Sequence, residues 1–289
     1  MSLKTTAFAK INLTLEILGT KRADGFHDLL SVMHKIPVGD EVCLEVTKSD
    51  EIEFSCSENV CANEDNLAYK AFVLYREKAI EKGHENFGGK IHIEKIMPTG
   101  AGLAGGSADG AAVLDMLQDS LGVFTNDELH SIAASLGSDV PFCLKEHTAC
   151  LCSGRGEVMK EISPLTKVFC LVAKPNENLP TKGIYNLYDQ MYGDNYSKNA
   201  SLLMEKALSE GNMKKVSSLL VNDFEEICVK RLAEIESVRQ ELVSHGAMGA
   251  RMSGSGSAVF GLFESEKAMQ KCRALLEDKG LFCRGFEYI

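Results

Sequence analysis

A cluster of glycines between a strand-like segment and a helix-like segment constrains this chain more than any other feature of its sequence. Residues 98–107 read Pro-Thr-Gly-Ala-Gly-Leu-Ala-Gly-Gly-Ser and lead directly into an alanine-rich run. Glycine lets a backbone turn sharply and approach a ligand closely, and the N-terminus of a helix carries a partial positive charge. We therefore predict that this loop cradles an anion such as a phosphate group.

Two other interpretations compete with a phosphate loop. The segment could be a glycine-rich turn that ends with Ser107 as the N-cap of the helix. Gly100, Gly102 and Gly105 also satisfy the G-x-G-x-x-G pattern of dinucleotide-binding folds. Three features disfavour a dinucleotide fold: the preceding residues alternate apolar and polar side chains, Pro98 intervenes, and a second helix rather than a strand follows the first. The sequence has no Walker pattern, G-x-x-x-x-G-K-[ST].

Hydrophobic periodicity predicts an α+β protein. In the first half it predicts helices at residues 67–82 and 107–121 and strands at residues 11–17, 41–47, 90–96 and 157–162. A third helix begins with a capping box of Thr125 and Glu128 and ends at Gly137. Because two helices follow one strand, the order differs from the repeating βαβ of a doubly wound sheet. We predict helices packed on a mostly antiparallel or mixed sheet.

The second half has the same mixed character. It opens with a buried strand and closes with another, and the predicted elements between them are helices at residues 200–209, 224–244 and 265–279 and a strand at residues 258–263. The opening strand covers residues 168–173. No linker rich in Pro, Gly or Ser marks a boundary, and we place it near residue 160, which predicts domains 1–160 and 161–289.

Charge and hydropathy restrict the partners of the chain. Its 289 residues include 31 Lys and Arg against 41 Asp and Glu, a net charge of −10 without a basic block. This balance argues against nucleic acid or an anionic membrane as the main partner. The N-terminal residues lack the apolar stretch of a signal peptide, and there is no run of about 18 apolar residues. We expect a cytoplasmic protein in which local loops and a few cations bind any anionic ligand.

The loop is similar to the nucleotide loop of the GHMP kinases. The similarity rests on Pro98, Gly102, Leu103 and residues 105–107, and it extends to an N-terminal strand motif, residues 9–13, and to a C-terminal glycine-rich motif, residues 251–258. The resemblance implies a two-domain α+β fold. It pairs an N-terminal ATP-binding domain, with a mixed or antiparallel sheet, with a C-terminal ferredoxin-like α/β domain, and the active site lies in the cleft between them. It also implies ATP and Mg²⁺, a small-molecule acceptor, and a monomer or homodimer.

Three further segments narrow the resemblance to the GHMP kinases that phosphorylate 4-diphosphocytidyl-2-C-methyl-D-erythritol. Residues 22–27 read R-A-D-G-F-H where those kinases have R-x-D-G-Y-H, residues 137–142 read G-S-D-V-P-F for their G-A-D-V-P-F, and residues 222–225 read N-D-F-E for their N-D-[FL]-E. The implied reaction transfers a phosphoryl group from ATP to the 2-hydroxyl of this cytidine diphosphate-linked polyol, in non-mevalonate isoprenoid synthesis. The chain departs from the pattern at Ala104 (usually Gly), Ala108 (Ser), Phe26 (Tyr) and Ser138 (Ala).

The resemblance also implies roles for individual residues. Asp139, in a turn stiffened by Pro141, is the base that accepts the hydroxyl proton, and Lys10 is the cation that holds Asp139 ionised and stabilises developing charge. Ser107 contacts both the nucleotide and the metal ion. The ATP-binding residues are Asn66, Lys95, Pro98, Gly100, Ala101, Gly102, Leu103, Ala104, Gly105, Gly106 and Ser107. The substrate-binding residues are Asn12, Phe26, His27, Asp139, Tyr185 and Gly254.

Ordinary structural roles are the alternatives for several of these residues. Asn66 could cap a helix, Lys95 could be an exposed strand residue, Tyr185 could pack in the core, and Gly254 could belong to a tight turn. An Asp in a loop, such as Asp139, is often only a turn former or cap, and a lone Lys at a strand edge, such as Lys10, often only solvates that edge. For the whole chain, the alternatives are a GHMP kinase acting on homoserine, mevalonate or a sugar, and a nucleotide-binding protein without catalytic activity.

Overall fold

The computed structural model describes residues 2–19, 25, 27–58, 60–177, 179, 181–192 and 199–288. Contacts along its backbone divide the chain into two compact units. Unit 1 comprises Met1–Lys10, Ile36–Thr99 and Ala104–His147, and unit 2 comprises Ile11–Lys35, Gly100–Leu103 and Thr148–Ile289. The glycine loop is therefore divided between the units. The linear domain boundary near residue 160 stays a prediction.

The described residues form eleven β-strands and ten α-helices. The strands are β1 (Ser2–Leu18), β2 (Asp28–Thr47), β3 (Ile52–Cys56), β4 (Gly88–Glu94), β5 (Ala149–Ser153), β6 (Val158–Glu161), β7 (Val168–Lys174), β8 (Val221–Asn222), β9 (Gly249–Met252), β10 (Val259–Phe263) and β11 (Phe282–Tyr288). The helices are α1 (Leu67–Glu81), α2 (Gly105–Leu121), α3 (Asn126–Leu136), α4 (Val140–Cys143), α5 (Thr181–Tyr192), α6 (Ala200–Ser209), α7 (Met213–Ser218), α8 (Glu225–Arg231), α9 (Glu234–Ser244) and α10 (Glu266–Asp278). Within this described part of the chain, no helix has both the length and the apolar character needed to cross a membrane.

Unit 1 is a mixed sheet covered by helices. Its strand order is β3-β4-β2-β1, with β3 parallel to β4 and β4 antiparallel to β2. The predicted alternation in β4 is confirmed: Ile91 and Ile93 are buried, whereas His92 and Glu94 are exposed. Helices α1 and α2 pack against each other over this sheet. The resulting core includes Phe72, Tyr75, Leu44, Val113 and Leu117.

Local capping chemistry explains three of the helix boundaries in unit 1: the starts of α1 and α3 and the end of α2. The Asn66 side chain accepts a hydrogen bond from the Ala68 amide at the start of α1. In the capping box of α3, the Thr125 hydroxyl accepts from the Glu128 amide and the Glu128 carboxylate accepts from the Thr125 amide. Helix α2 ends at Gly122, whose φ of 64° is in the left-handed region that glycine favours. Local chemistry therefore determines the helix boundaries near the candidate site.

Unit 2 contains a four-stranded antiparallel sheet with the order β11-β7-β10-β9. In chain order these strands occupy positions 4-1-3-2, the arrangement of ferredoxin-like folds, and α9 and α10 pack on them. In the same unit β8 runs parallel to β1, and β5 pairs antiparallel with β2 and β6. The core is built around Phe224, Ile235, Leu242, Phe263 and Met269. The predicted α+β class and the ferredoxin-like second half are confirmed.

The single helix predicted for residues 224–244 is wrong. The chain forms α8 and α9 instead, separated at Leu232, whose φ of −140° and ψ of 90° are extended rather than helical. Leu232 is nevertheless buried, so the apolar spacing continues through the break. Periodicity alone therefore could not reveal it. The sequence prediction also missed β3, α4, β5, α5, α7, β8 and β9.

Candidate active site

Helix α2 begins two residues earlier than the sequence predicts. Its N-cap is Ala104 and its first helical residue is Gly105, so Ser107 lies in the first turn. The prediction that Ser107 caps the helix is therefore wrong, because the left-handed conformation of Ala104 starts the helix before the serine is reached. Gly105, Gly106 and Ser107 are all at least partly accessible. Their backbone amides, at the positive end of a 17-residue helix, can bind an anion.

Ala104 adopts a backbone conformation that glycine would hold at lower free energy. Its φ of 57° is in the left-handed region, which costs a residue with a Cβ about 1–2 kcal/mol. Replacing it with glycine removes this strain but raises the entropy of the unfolded chain, which offsets about 0.5–1 kcal/mol. We expect Ala104→Gly to increase the free energy of unfolding by about 0.5–1 kcal/mol, measured by urea denaturation.

A matched alanine in α3 provides the control for this variant. Ala134 is half-buried in the last turn of that helix, where glycine is less favourable than alanine by up to about 1 kcal/mol. Ala134→Gly should therefore lower the free energy of unfolding while Ala104→Gly raises it. Equal losses in the two variants would show that Ala104 is not strained.

A buried cluster of three charged side chains lies beside the first turn of α2. The Lys95 ammonium is hydrogen-bonded to Oδ2 of Asp40 and lies 2.9 Å from Oδ2 of Asp109, and its side chain is only 4% exposed. Asp40 also accepts hydrogen bonds from the amides of Ile96 (2.6 Å) and Met97 (2.7 Å). The cluster therefore fixes the chain that leads into the glycine loop.

Burial and the attraction between opposite charges have opposing effects on the pKa values of Asp109 and Lys95. Burial raises the pKa of the Asp109 carboxyl to about 7, because the loss of hydration outweighs the attraction of the Lys95 ammonium, and the Asp40 carboxylate adds to the rise. Burial alone would lower the pKa of Lys95, but the carboxylates of Asp109 and Asp40 outweigh it and raise that pKa. Among the described residues, Oδ1 of Asp109 is buried without a hydrogen-bond partner.

The raised pKa of Asp109 predicts a pH-dependent loss of stability. The unfolded carboxyl ionises near its model value of 3.8, whereas the folded one stays protonated until about pH 7. Between these values the folded chain binds more protons, so its free energy of unfolding falls as the pH rises, by about 1.4 kcal/mol per unit of pKa difference. We expect Asp109→Asn to flatten this slope between pH 4 and pH 7, measured by urea unfolding at several pH values.

An exposed aspartate in the first turn of α3 provides the comparison. Asp127 is solvent-accessible. Asp127→Asn should leave the pH slope of the parent chain unchanged. If Asp109→Asn kept the parent slope as well, the ionisation of Asp109 would not be coupled to folding.

Lys10 and Asp139 come together in unit 1. Nζ of Lys10 lies 3.5 Å from Oδ2 of Asp139. The Lys10 side chain is 4% exposed and that of Asp139 is 32% exposed. Asp139 occupies the N-cap position of α4, where Pro141 stiffens the first turn, as the sequence predicts. The arrangement holds an accessible carboxylate in a fixed position beside a buried cation.

Asn66 and Pro98 belong to the same unit. Oδ1 of Asn66 accepts from the Ala68 amide at 2.9 Å, so the alternative role as a helix cap is realised. An added Cβ at Gly106 would lie 4.0 Å from Leu67, which places the start of α1 next to the first turn of α2. Pro98 is half-buried. Contacts of Asn66, Lys95 and Pro98 with ATP stay predictions.

In unit 2, residues 100–103 of the glycine loop pack directly against the C-terminal glycine-rich segment. The Ser253 hydroxyl donates to the Gly102 carbonyl at 2.9 Å, and the Ala258 amide donates to the Ala101 carbonyl at 3.1 Å. A Cβ at Gly102 would lie 2.1 Å from the Ser253 carbonyl oxygen, and one at Gly254 would lie 2.8 Å from the Gly102 carbonyl oxygen. Only glycine allows so close an approach of the two backbones at these positions.

The N-D-F-E segment holds this glycine-rich segment in place. The side-chain amide of Asn222 donates to the backbone carbonyls of Met252 and Gly254, both at 2.8 Å. Glu225 accepts from the Met252 amide at 2.8 Å and pairs with Arg251. Asn222 and Glu225 were not among the predicted site residues, although the motif that contains them was a signal. The structure shows that both fix the backbone around Gly254.

Asn12 is buried in unit 2 and makes hydrogen bonds at both its backbone and its side chain. Its backbone amide donates to the Ser253 hydroxyl at 3.2 Å, and its side-chain amide donates to the Ser31 hydroxyl at 2.8 Å. Ser31 donates in turn to the Thr14 carbonyl at 2.6 Å. Asn12 is therefore linked to the segment that contains Gly254. A direct contact with substrate stays a prediction.

His27 and Tyr185, which the sequence assigns to substrate binding, are also brought together in unit 2. Their rings stack with centroids 5.8 Å apart and planes 26° apart, and Tyr185 packs edge-on against Phe224. Nε2 of His27 lies 2.7 Å from Oδ1 of Asp189, a partner that the sequence analysis missed. Phe26, the other predicted ring, lies outside the described residues.

Comparison with known proteins gives concordant matches over most of the chain. The family model for the GHMP kinases N terminal domain matches residues 66–147, and that for the GHMP kinases C terminal matches residues 204–280. The 4-diphosphocytidyl-2-C-methyl-D-erythritol kinase of Caldanaerobacter subterraneus subsp. tengcongensis is 38% identical over 98% of this chain and 94% of its own length. The Acaryochloris marina protein of the same name is 39% identical over 89% of this chain and 86% of its own. The crystal structure of a 4-(cytidine 5'-diphospho)-2C-methyl-D-erythritol kinase has a TM-score of 0.79 and 30% identity, covering 98% of this chain and 97% of that one.

Proposed function

Because this chain belongs to the 4-diphosphocytidyl-2-C-methyl-D-erythritol kinases, a branch of the GHMP kinase family, we propose that it phosphorylates the 2-hydroxyl of that polyol with ATP. The observation that carries the proposal is the pairing of Lys10 with Asp139 at 3.5 Å in a chain that matches these relatives over nearly its full length. A non-catalytic nucleotide-binding protein would not need this pair. The reaction belongs to the non-mevalonate route to isoprenoid precursors. A cytoplasmic location and a monomeric or homodimeric state stay predictions.

The carboxylate of Asp139 is suited to accept the proton of the attacking hydroxyl. It is accessible, and the first turn of α4 fixes its backbone. Phosphoryl transfer depends on positioning and charge stabilisation more than on covalent chemistry. The buried ammonium of Lys10 lies on one side of this carboxylate and can stabilise negative charge that develops on the transferred group. In this proposal Asp139 orients the nucleophile and Lys10 supplies a fixed positive charge.

ATP is the phosphate donor of the GHMP kinases, and the first turn of α2 is suited to its phosphates. The amides of residues 105–107 lie at the positive end of the helix. Mg²⁺ binds oxygen ligands and usually takes most of them from phosphates and water, so a single protein hydroxyl such as that of half-buried Ser107 fits its preference. We propose that Ser107 contacts this ion, which would neutralise charge on the triphosphate. Lys95 then acts indirectly, by holding the loop in place, since its ammonium is paired with Asp40 and Asp109.

The rings in unit 2 are suited to a pyrimidine. When Nε2 of a neutral His27 donates to Asp189, its Nδ1 is an acceptor, which matches the donor amine of cytosine. Tyr185 offers an aromatic face next to it. Gly254, whose backbone is held by Asn222, would meet the phosphates of the substrate. This assignment extends to Phe26, whose ring could stack on the base.

Measurement of ADP release with four acceptors tests the proposed function. The chain is incubated with ATP and Mg²⁺ and is offered 4-diphosphocytidyl-2-C-methyl-D-erythritol, homoserine, mevalonate and galactose separately. We expect turnover with the cytidyl substrate alone, because only that acceptor presents a pyrimidine to His27 and Tyr185. Turnover with another acceptor would retain the kinase activity and exclude the pyrimidine pocket. No turnover with any acceptor would favour a nucleotide-binding protein without catalytic activity.

A further inference from the structure

Two imidazoles and a carboxylate converge in unit 1 on residues that the kinase chemistry does not use. His130 lies on α3, and Glu146 and His147 lie in the segment after α4. Nε2 of His130 is hydrogen-bonded to Oε1 of Glu146, and Nε2 of His147 lies 3.5 Å from the same oxygen. One ligand atom from each residue lies within 4.8 Å of the other two. Among the described residues, this is the one group of three such side chains with so short a separation.

We propose that His130, Glu146 and His147 form a binding site for a divalent transition-metal ion of the Zn²⁺ class. Two imidazole nitrogens and one carboxylate oxygen are a donor set that Zn²⁺, Co²⁺ and Ni²⁺ prefer, whereas Mg²⁺ and Ca²⁺ prefer oxygen ligands throughout. This site is therefore different in chemistry from one that would hold the magnesium ion of ATP. It shares no residue with the sets assigned to ATP and to the substrate.

The geometry requires only a small adjustment to accept the ion. Zn²⁺ binds nitrogen and oxygen ligands at about 2.0–2.2 Å, so neighbouring ligands of a tetrahedral site lie about 3.3–3.5 Å apart. Oε1 of Glu146 and Nε2 of His147 already have a separation of 3.5 Å. Nε2 of His130 and Oε1 of Glu146, which are now hydrogen-bonded, must move apart to the separation of two ligands of one ion. Both side chains are partly exposed, 26% and 38%, and can make this movement.

The accessibility of the three side chains indicates a site with an open coordination position. The His147 side chain is only 11% exposed, which provides a fixed ligand, while His130 and Glu146 face solvent in part. Three protein ligands leave a fourth position for water. The ammonium of the adjacent Lys145 is hydrogen-bonded to Asp119 on α2. An ion at such a site exchanges with solvent and is not required for folding.

Binding would connect two elements on either side of the turn that carries Asp139. His130 precedes that turn along the chain and Glu146 and His147 follow it, and the imidazole rings already lie with centroids 5.2 Å apart. An ion held by all three residues crosslinks α3 to the segment after α4. Because it binds the folded chain only, it raises the free energy of unfolding by RT ln(1 + L/Kd), where L is the concentration of the free ion.

Titration with Co²⁺ tests the site directly, since its visible absorption reports the number and type of ligands. The full chain, freed of metal by a chelator and without an affinity tag or nucleotide, is titrated with Co²⁺ and then with Zn²⁺. We expect one Co²⁺ per chain with a strong visible band typical of four or five ligands, its displacement by one Zn²⁺, and no displacement by Mg²⁺. Zn²⁺ should also raise the unfolding temperature.

Two variants and a control assign the site to these residues. His130→Gln and His147→Gln should each weaken Co²⁺ binding at least 10-fold and abolish the stabilisation by Zn²⁺. The control is His245→Gln, because His245 lies 3.4 Å from Glu241 on α9 and forms a histidine–glutamate pair without a second imidazole. If His147→Gln does not fold, partly exposed His130 still decides the matter. Absence of the strong band, or equal Co²⁺ binding by His130→Gln and the parent, would overturn the proposal.

Discussion

Replacing Asp139 with asparagine is expected to lower kcat by about 10³-fold and to leave the affinity for ATP nearly unchanged. Asparagine has the size of aspartate and can occupy the same N-cap position of α4, so the turn should keep its shape. What it loses is the ability to accept a proton from the acceptor hydroxyl. Single-turnover measurements with saturating ATP would separate this chemical step from product release. Turnover at the parent rate would exclude Asp139 as the base.

Lys10 provides the second half of this test, because two residues that act as a unit give non-additive effects. Lys10→Met should lower kcat by about 10²-fold through loss of the fixed positive charge. The double variant should be little slower than Asp139→Asn alone. Once the carboxylate of Asp139 has been removed, Lys10 no longer has the partner with which it acts in phosphoryl transfer. Lys4→Met is the matched control: Lys4 lies on the same strand, β1, and pairs with Glu41 at 2.8 Å on the exposed surface. Its kcat should equal that of the parent.

The parts of the fold that the sequence predicts well are those determined by neighbouring residues. The capping box at Thr125, the left-handed glycine at Gly122 and the alternation in β4 each depend on side chains within four positions of one another. Such signals do not require knowledge of what packs on the element. They therefore located the strand before the loop of residues 98–107 and the helix after it.

The charged cluster shows why the rest of the site could not be predicted. Lys95 is brought to Asp40 from 55 positions away in the sequence, and only the pairing of β2 with β4 makes them neighbours. In the sequence, Lys95 comes at the end of a segment in which apolar and polar side chains alternate, a position where a lysine is usually exposed. Asp40 directly precedes the strand predicted at residues 41–47, so it gave no signal; only in the structure, where β2 covers Asp28–Thr47, does it become an aspartate inside a strand, a position that aspartate occupies less often than most residues.

The contact of Gly102 with Ser253 is of the same long-range kind, and it predicts a large loss of stability. Gly102→Ala introduces a Cβ 2.1 Å from the Ser253 carbonyl oxygen, at a φ of +74° that itself disfavours alanine. Because the clash is with backbone, no side chain can rotate to relieve it, and residues 100–103 and 251–257 must separate. We expect the free energy of unfolding to fall by about 1.5–4 kcal/mol, because overpacking costs about 1–3 kcal/mol and backbone strain about 1–2 kcal/mol, less about 0.5–1 kcal/mol from the lower entropy of the unfolded chain.

A glycine in the same unit with the same backbone conformation isolates the clash from the strain. Gly280 has a φ of +77°, and an added Cβ there would meet no atom within 4 Å. Gly280→Ala should therefore lose only the strain, reduced by the lower entropy of the unfolded chain to about 0.5–1 kcal/mol, in urea denaturation followed by circular dichroism. Gly102→Ala should in addition lose measurable affinity for ATP, whereas Gly280→Ala should retain it. Equal losses of stability in the two variants would mean that the two glycine-rich segments separate without cost, and that their contact does not hold the loop in its binding conformation.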